Sequence, residues 1–180
     1  IIKDRLEEFD TQSDWKQSLS SPKNKEIWAV GGGKGGVGKS LTTANLSICL
    51  ALMGYRVVSV DLDLGGANLH TCLGANIPEL TLSDYLTKKV TSFKELVNET
   101  PIDNLYLISG AHDDFGMANL KQVHKAKILH QLYGLEADYI ILDLGAGTTY
   151  NTLDFFLSSD KGIMTTLPEP TSIENTYRFI

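Results

Sequence analysis

The chain has 180 residues, 42% of them hydrophobic, and a formal net charge of −6. That length supports one domain with a substantial core, and the acidic balance argues against a broad nucleic-acid footprint, which needs clustered Lys and Arg. No apolar run approaches the ~20 residues that span a bilayer and no basic-then-apolar leader opens the chain, so a cytoplasmic protein is expected.

In chain order, residues 1–25 are polar, with Ile2, Leu6 and Phe9 in weak helical spacing, and Pro22 interrupts the following "SSPKNK". This stretch reads as an N-terminal arm and linker, and residues 26–180 as one domain. The missing initiator Met and the end within "ENTYRFI" suggest a piece of a longer chain, truncated on its C-terminal side. "IWAV" (27–30) reads as a buried strand, followed by a glycine-rich loop and a helix over 40–54 that Gly54 should end. "RVVSVDLD" (56–63) is the next strand, and short helices are expected at 80–86 and 92–97. "LYLIS" (105–109) reads as a strand, 116–134 as a helix, and "YIILD" (139–143) and "GIMTTL" (162–167) as further strands. In "PEPTSIENTY", Thr171 and Glu174 have the spacing of a capping box, and the stretch reads equally as a loop that reads a nucleotide or faces a partner.

Strands that are near-continuous apolar runs are buried on both faces. Alternating with helices, they predict an α/β fold: a mostly parallel sheet with helices on both faces, and ligands beyond the carboxyl ends of the strands. The chemistry-bearing residues fall at those ends. Gly33-Lys34-Gly35-Gly36-Val37-Gly38-Lys39-Ser40 fits the phosphate-binding loop pattern between a strand and a helix. Its glycines let backbone N–H groups turn toward phosphate oxygens, and the helix adds its positive end. Lys39 should reach the β- and γ-phosphates, and the Ser40 hydroxyl should bind Mg²⁺. Asp61 and Asp63 end the second strand and Asp143 ends "DYIILD". Carboxylates there can order a Mg²⁺ shell or orient an attacking water. "GAG" (145–147) can approach a γ-phosphate. The expected nucleotide contacts are Gly33 through Ser40, with Leu41 and Gly145.

Other features carry less. "KQVHKAK" (121–127) is the best candidate basic patch, and reads more simply as a solvated helix face. Cys49 and Cys72 form no CxxC; Cys49 lies in an apolar run and is expected in the core. His70, His112, His124 and His130 lack metal-ligand spacing.

"KGGVGKS" resembles the deviant Walker A motif of the ParA/MinD family of P-loop ATPases. "DLDLGGANLHTCLG" resembles the family's second Walker A-like segment, "YIILDLGAG" its Walker B and switch II start, and the pairing of "GAG" with "PEPTSI" is similar to the MinD-like branch that includes the FlhG/FleN regulators. The resemblance covers residues 25–180. It implies an ATPase that binds ATP/ADP and Mg²⁺ and dimerises face to face on ATP. Lys34 would be the signature lysine that crosses to the partner's phosphates, Lys39 the ordinary Walker lysine and Asp63 the water-positioning acid. Ser40, Asp61 and Asp143 would lie at the metal. It also implies an activating protein partner and a role in positioning cellular structures. Membrane or nucleoid association would depend on the family's C-terminal portion, which this chain lacks. The competing readings are an iron–sulfur cluster carrier and a nucleotide-responsive binding module that barely hydrolyses.

Overall fold

The computed structural model describes residues 25–63, 66–110, 120 and 122–179. The expected arm therefore lies outside the described residues except for Lys25, as do His112 and the start of the helix expected over 116–134. The elements are β1 (Glu26–Gly31), α1 (Lys39–Leu52), β2 (Val57–Leu62), α2 (Leu69–Cys72), α3 (Leu82–Leu86), a 3-10 turn (Phe93–Leu96), β3 (Asn98–Glu99), β4 (Leu105–Ile108), α4 (Gln122–Tyr133), β5 (Tyr139–Leu144), α5 (Tyr150–Leu157), β6 (Lys161–Met164) and α6 (Pro170–Phe179).

The six strands form one sheet in the order β3-β4-β2-β5-β1-β6. All neighbours are parallel except the short β3, which runs antiparallel to β4. The continuous apolar character of the central strands has the consequence expected of it. On β5, Ile140, Leu142 and Leu144 join Ile128 and Leu132 of α4 and Phe155 of α5 on one face. Ile141 points to the other face, where Ala44, Leu50 and Ala51 of α1 and Leu69 of α2 cover it. The expected α/β architecture with helices on both faces is what forms.

Several details differ from the sequence-based expectations. Cys49 is exposed rather than buried. The face of α1 turned to the sheet carries small and hydroxyl residues, Thr43, Ala44 and Ser47, and Ser47 meets Ser59 of β2 Oγ to Oγ at 2.8 Å. That close approach leaves bulkier apolar residues, Leu41 and Leu52, on the solvent side. The capping box at Thr171 does not form. α6 already starts at Pro170, a position that suits a residue without N–H; Glu174 instead accepts from Arg178 one turn on, at 2.5 Å. β6 ends at Met164 rather than 167. α2, β3 and α5 had no sequence-based expectation. α5 is capped by Thr149, whose side chain accepts from the Thr152 amide at 3.2 Å. Gly54 does stop α1: it has φ 92, a backbone conformation that favours glycine.

The "KQVHKAK" stretch is not simply a solvated face. Lys125 is 4% exposed and its ammonium is paired with Asp154 of α5, which also accepts from Gln122 at 3.2 Å. Removing the carboxylate leaves a buried ammonium uncompensated, whereas removing the lysine leaves an Asp154 that retains access to water. Asp154→Ala is therefore expected to lower stability by about 3 kcal/mol and Lys125→Met by about 1 kcal/mol or less, measured by urea unfolding. Equal losses would show that the pair is not the determinant.

Candidate functional site

The loop from Gly31 to Gly38 runs from the end of β1 into α1. Gly36 and Gly38 have φ values of 77 and 89, which side-chain-bearing residues adopt at a cost. Gly33 is required for a different reason: a Cβ there would lie 2.4 Å from the backbone carbon of Asn175, because α6 packs directly on the loop. Val37 is buried and folds back toward Gly32.

β5 lies between β1 and β2, and the parallel register pairs Asp143 with Val30 on one side and with Asp61 on the other. Two carboxylates thus end neighbouring strands at one level beside the start of the loop, each 1% exposed. Asp61 accepts N–H bonds from Asp63 (3.0 Å) and Leu69 (2.9 Å). Burial nevertheless pushes its carboxyl up to about 7, with the charges of Asp143 and Asp63 adding to the shift. Burial also raises Asp143, opposed by hydrogen bonds from Ser40 and Thr43 and by the Lys39 charge. The Thr43 hydroxyl donates to Asp143 Oδ1 at 3.2 Å. Lys39 itself is 7% exposed.

The remaining expected residues sit around this centre. Asp63 lies just beyond β2, where a Cβ on Gly145 would come within 3.5 Å of its Oδ1. The segment after β5 is tied to the loop by an N–H bond from Gly147 to the Gly32 carbonyl, 3.2 Å. Leu41 turns its side chain to solvent, so only its backbone N–H, in the first turn of α1, is available to a nucleotide. Lys34 is exposed, and its Nζ donates to Glu169 Oε2 at 3.1 Å. Three neighbours of the loop had no sequence-based expectation: Thr43, Asn175 and Glu169. Thr43 was detectable, since it lies one turn after Lys39 and Ser40 on the same helix. Asn175 and Glu169 come from chain more than 130 residues away and carried no local signal.

Among the described residues, no group of three or more His, Cys, Asp and Glu side chains is placed to hold a metal ion unaided. That suits Mg²⁺, which keeps several waters and is held by one or two carboxylates together with substrate phosphates. The donors are hard oxygens: the Ser40 hydroxyl and the Asp143 and Asp61 carboxylates. Burial holds both carboxyls above the ordinary carboxylate range, a cost that a cation beside them would offset, so the residues present fit the ion.

A parallel sheet with a glycine-rich loop at the carboxyl end of β1 and acids at the ends of β2 and β5 defines a phosphate-loop nucleotide-binding protein. The comparisons agree. The family described as "AAA domain" matches residues 25–180. The flagellum site-determining protein YlxH of Helicobacter pylori is 33% identical over 98% of this chain and 60% of its own length. The septum site-determining protein MinD of the same organism is 32% identical over 86% of this chain and 57% of its own. The structure of MinD from Pyrococcus horikoshii complexed with Mg-ADP superposes with a TM-score of 0.75 at 32% identity, covering 86% of this chain and 63% of that one. The chain belongs to this AAA-domain family, in its ParA/MinD group. It spans about three fifths of the length of the curated relatives it matches.

The Asp61 shift has a measurable consequence. Its folded pKa lies above the unfolded one, so its stabilising contribution is complete below about pH 4 and is lost as pH rises through about 7. Titration of the nucleotide-free chain, followed by the ¹³C carboxyl shift of Asp61, is expected to show a midpoint near 7 that falls when Mg²⁺ and nucleotide are added. A midpoint in the ordinary carboxylate range without nucleotide would contradict the buried geometry.

Proposed function

We propose that this domain is the nucleotide-binding core of a Mg²⁺-dependent ATPase that hydrolyses ATP to ADP and phosphate and dimerises when ATP is bound. The observation that carries the proposal is the division of the loop's two lysines: Lys39 is buried beside Asp143, while Lys34 lies on the outer surface, paired among the described residues with Glu169. One cation serves the phosphates of its own subunit. The other is placed to leave an exposed ion pair, of low net worth, for the phosphates of a facing subunit.

In this reading backbone N–H groups from Gly33 to Leu41 and the Lys39 ammonium bind the phosphates. Ser40, Asp143 and Asp61 hold Mg²⁺ directly or through water, and the ion, when bound, neutralises phosphate charge. Asp63, half-exposed beyond β2 and against Gly145, orients the water that attacks the γ-phosphorus; the bond to the bridging oxygen breaks and ADP departs. Gly145 to Gly147, tied to Gly32, registers loss of the γ-phosphate and releases the dimer. The relatives named for siting flagella and septa support a role in positioning such structures, with an activating protein and a membrane or nucleoid as further participants. An iron–sulfur carrier would need convergent thiols; Cys49 and Cys72 are both exposed, on α1 and α2.

Three substitutions separate these roles. Lys39→Ala is expected to weaken ATP binding about a hundredfold, through loss of a charge-assisted contact in a buried site, read by titration calorimetry. Lys34→Ala should keep most binding and lose ATP-dependent dimerisation in sedimentation velocity. Asp63→Ala should accumulate the ATP dimer while phosphate release falls by two orders of magnitude or so. Dimerisation of the Lys34→Ala protein at the parental ATP concentration would refute the trans-acting lysine.

A further inference from the structure

A groove lies at the end of the sheet opposite the phosphate loop. Its volume is about 240 Å³. Arg56 precedes β2, Leu135 and Glu136 precede β5, and Val58 and Tyr106 are register partners near the starts of β2 and β4. Parallel strands that deliver Asp61 and Asp143 to one end necessarily begin at the other, so this groove is separate from the nucleotide site.

The groove has an apolar floor, formed by Val58, Val97 and Leu135, and a rim on which two cations, Arg56 and Lys94, outnumber one carboxylate, Glu136. The Arg56 guanidinium lies 5.2 Å from the centroid of the Tyr106 ring and makes only a long contact, 3.8 Å, to the exposed Glu136. Lys94 also lines the groove, exposed, and no carboxylate pairs with it among the described residues. Apolar contact area combined with two cations selects an acidic segment that carries large hydrophobic side chains.

This chain holds such a segment. Asp4–Asp10, "DRLEEFD", has four acids against one base, with Leu6 and Phe9 flanking the adjacent Glu7 and Glu8. The chain leading from it enters the domain at the groove. The Lys25 ammonium donates to the Tyr133 carbonyl at 2.7 Å and to the carbonyl of Leu135, a floor residue. The fourteen residues between Asp10 and Lys25 reach roughly 50 Å when extended, ample for a return to the rim. We propose that the groove receives the N-terminal arm of the same chain, with Phe9 against Val97 and Leu135, and Glu7 and Glu8 on Lys94 and Arg56.

The proposal is independent of ATP hydrolysis and is tested on the full chain. Zero-length carbodiimide coupling, applied to an equal mixture of ¹⁵N-labelled and unlabelled chains and read by mass spectrometry, should join Lys94 to Glu7 or Glu8 within one chain as the main arm cross-link. Phe9→Ala removes no reactive group, yet should lower that yield about tenfold, because it withdraws the buried ring. Exchanging both acids' partner by Lys94→Glu should disperse arm coupling over other lysines, and adding Glu7→Lys with Glu8→Lys should restore arm coupling at residue 94. Cross-links that join labelled to unlabelled chains would assign the groove to a second copy and overturn the proposal. Equal coupling to Lys88, Lys89 and Lys94, or no response to Phe9→Ala, would overturn it as well.

Discussion

Two buried carboxylates in register govern the candidate site. Asp61 and Asp143 end adjacent parallel strands at one level and are almost wholly shielded from water. A pair of anions in that position is unfavourable unless positive charge is close. Lys39 and the hydroxyls of Ser40 and Thr43 offset part of the cost at Asp143, while Asp61, among the described residues, accepts from two backbone N–H groups. An anionic ligand arriving alone would increase the deficit, whereas one that brings a divalent cation removes it. Under the proposed ATPase reading, this charge balance would favour the metal complex of a nucleotide over the bare nucleotide, before any phosphate contact is considered.

The phosphate loop is also where distant parts of the chain meet. Asn175 of α6 excludes a side chain at Gly33, Glu169 holds Lys34, and Gly147 donates to Gly32. Three consecutive loop residues thus report on the strand-to-helix connection before α6 and on the segment after β5. The contacts differ in strength in a useful way. The close packing at Gly33 is rigid, because interiors do not deform continuously. The Lys34 pair is half-exposed and screened by water and salt, so little free energy opposes its exchange for a more highly charged partner.

The sheet, its two covered faces and the strand-end acids were legible in the sequence because each depends on a local pattern: a continuous apolar run, a glycine-rich turn, an acid at a strand end. The glycine-rich turn between β1 and α1 was legible for the same reason. What escaped depends on contacts across the fold. Cys49 sits in an apolar run, but the close approach of α1 to β2 through Ser47 and Ser59 decides which side of that run is inside. Lys125 lies in a run of charged and polar residues, and only the position of Asp154 on α5 makes it a buried group. Thr171 and Glu174 have capping-box spacing, yet α6 begins two residues early, at Pro170, and Glu174 turns to Arg178. Spacing alone does not say which of two local partners a side chain takes.

The Lys125–Asp154 pair also bears on how the site can move. α5 follows directly after the 145–149 segment, and Thr149 caps it. Asp154, in the middle of that helix, is held by Lys125 and Gln122 of α4, while Phe155 is buried against the sheet. A helix fixed by both an ion pair and an aromatic anchor resists displacement as a unit. Rearrangement in response to the phosphates is thereby directed to the short connection between β5 and Thr149, where Gly145 lies against Asp63 and Gly147 already has a positive φ. Confining motion to those few residues would keep Asp143 and the sheet in register, so the two strand-end acids would stay aligned while the neighbouring backbone changes.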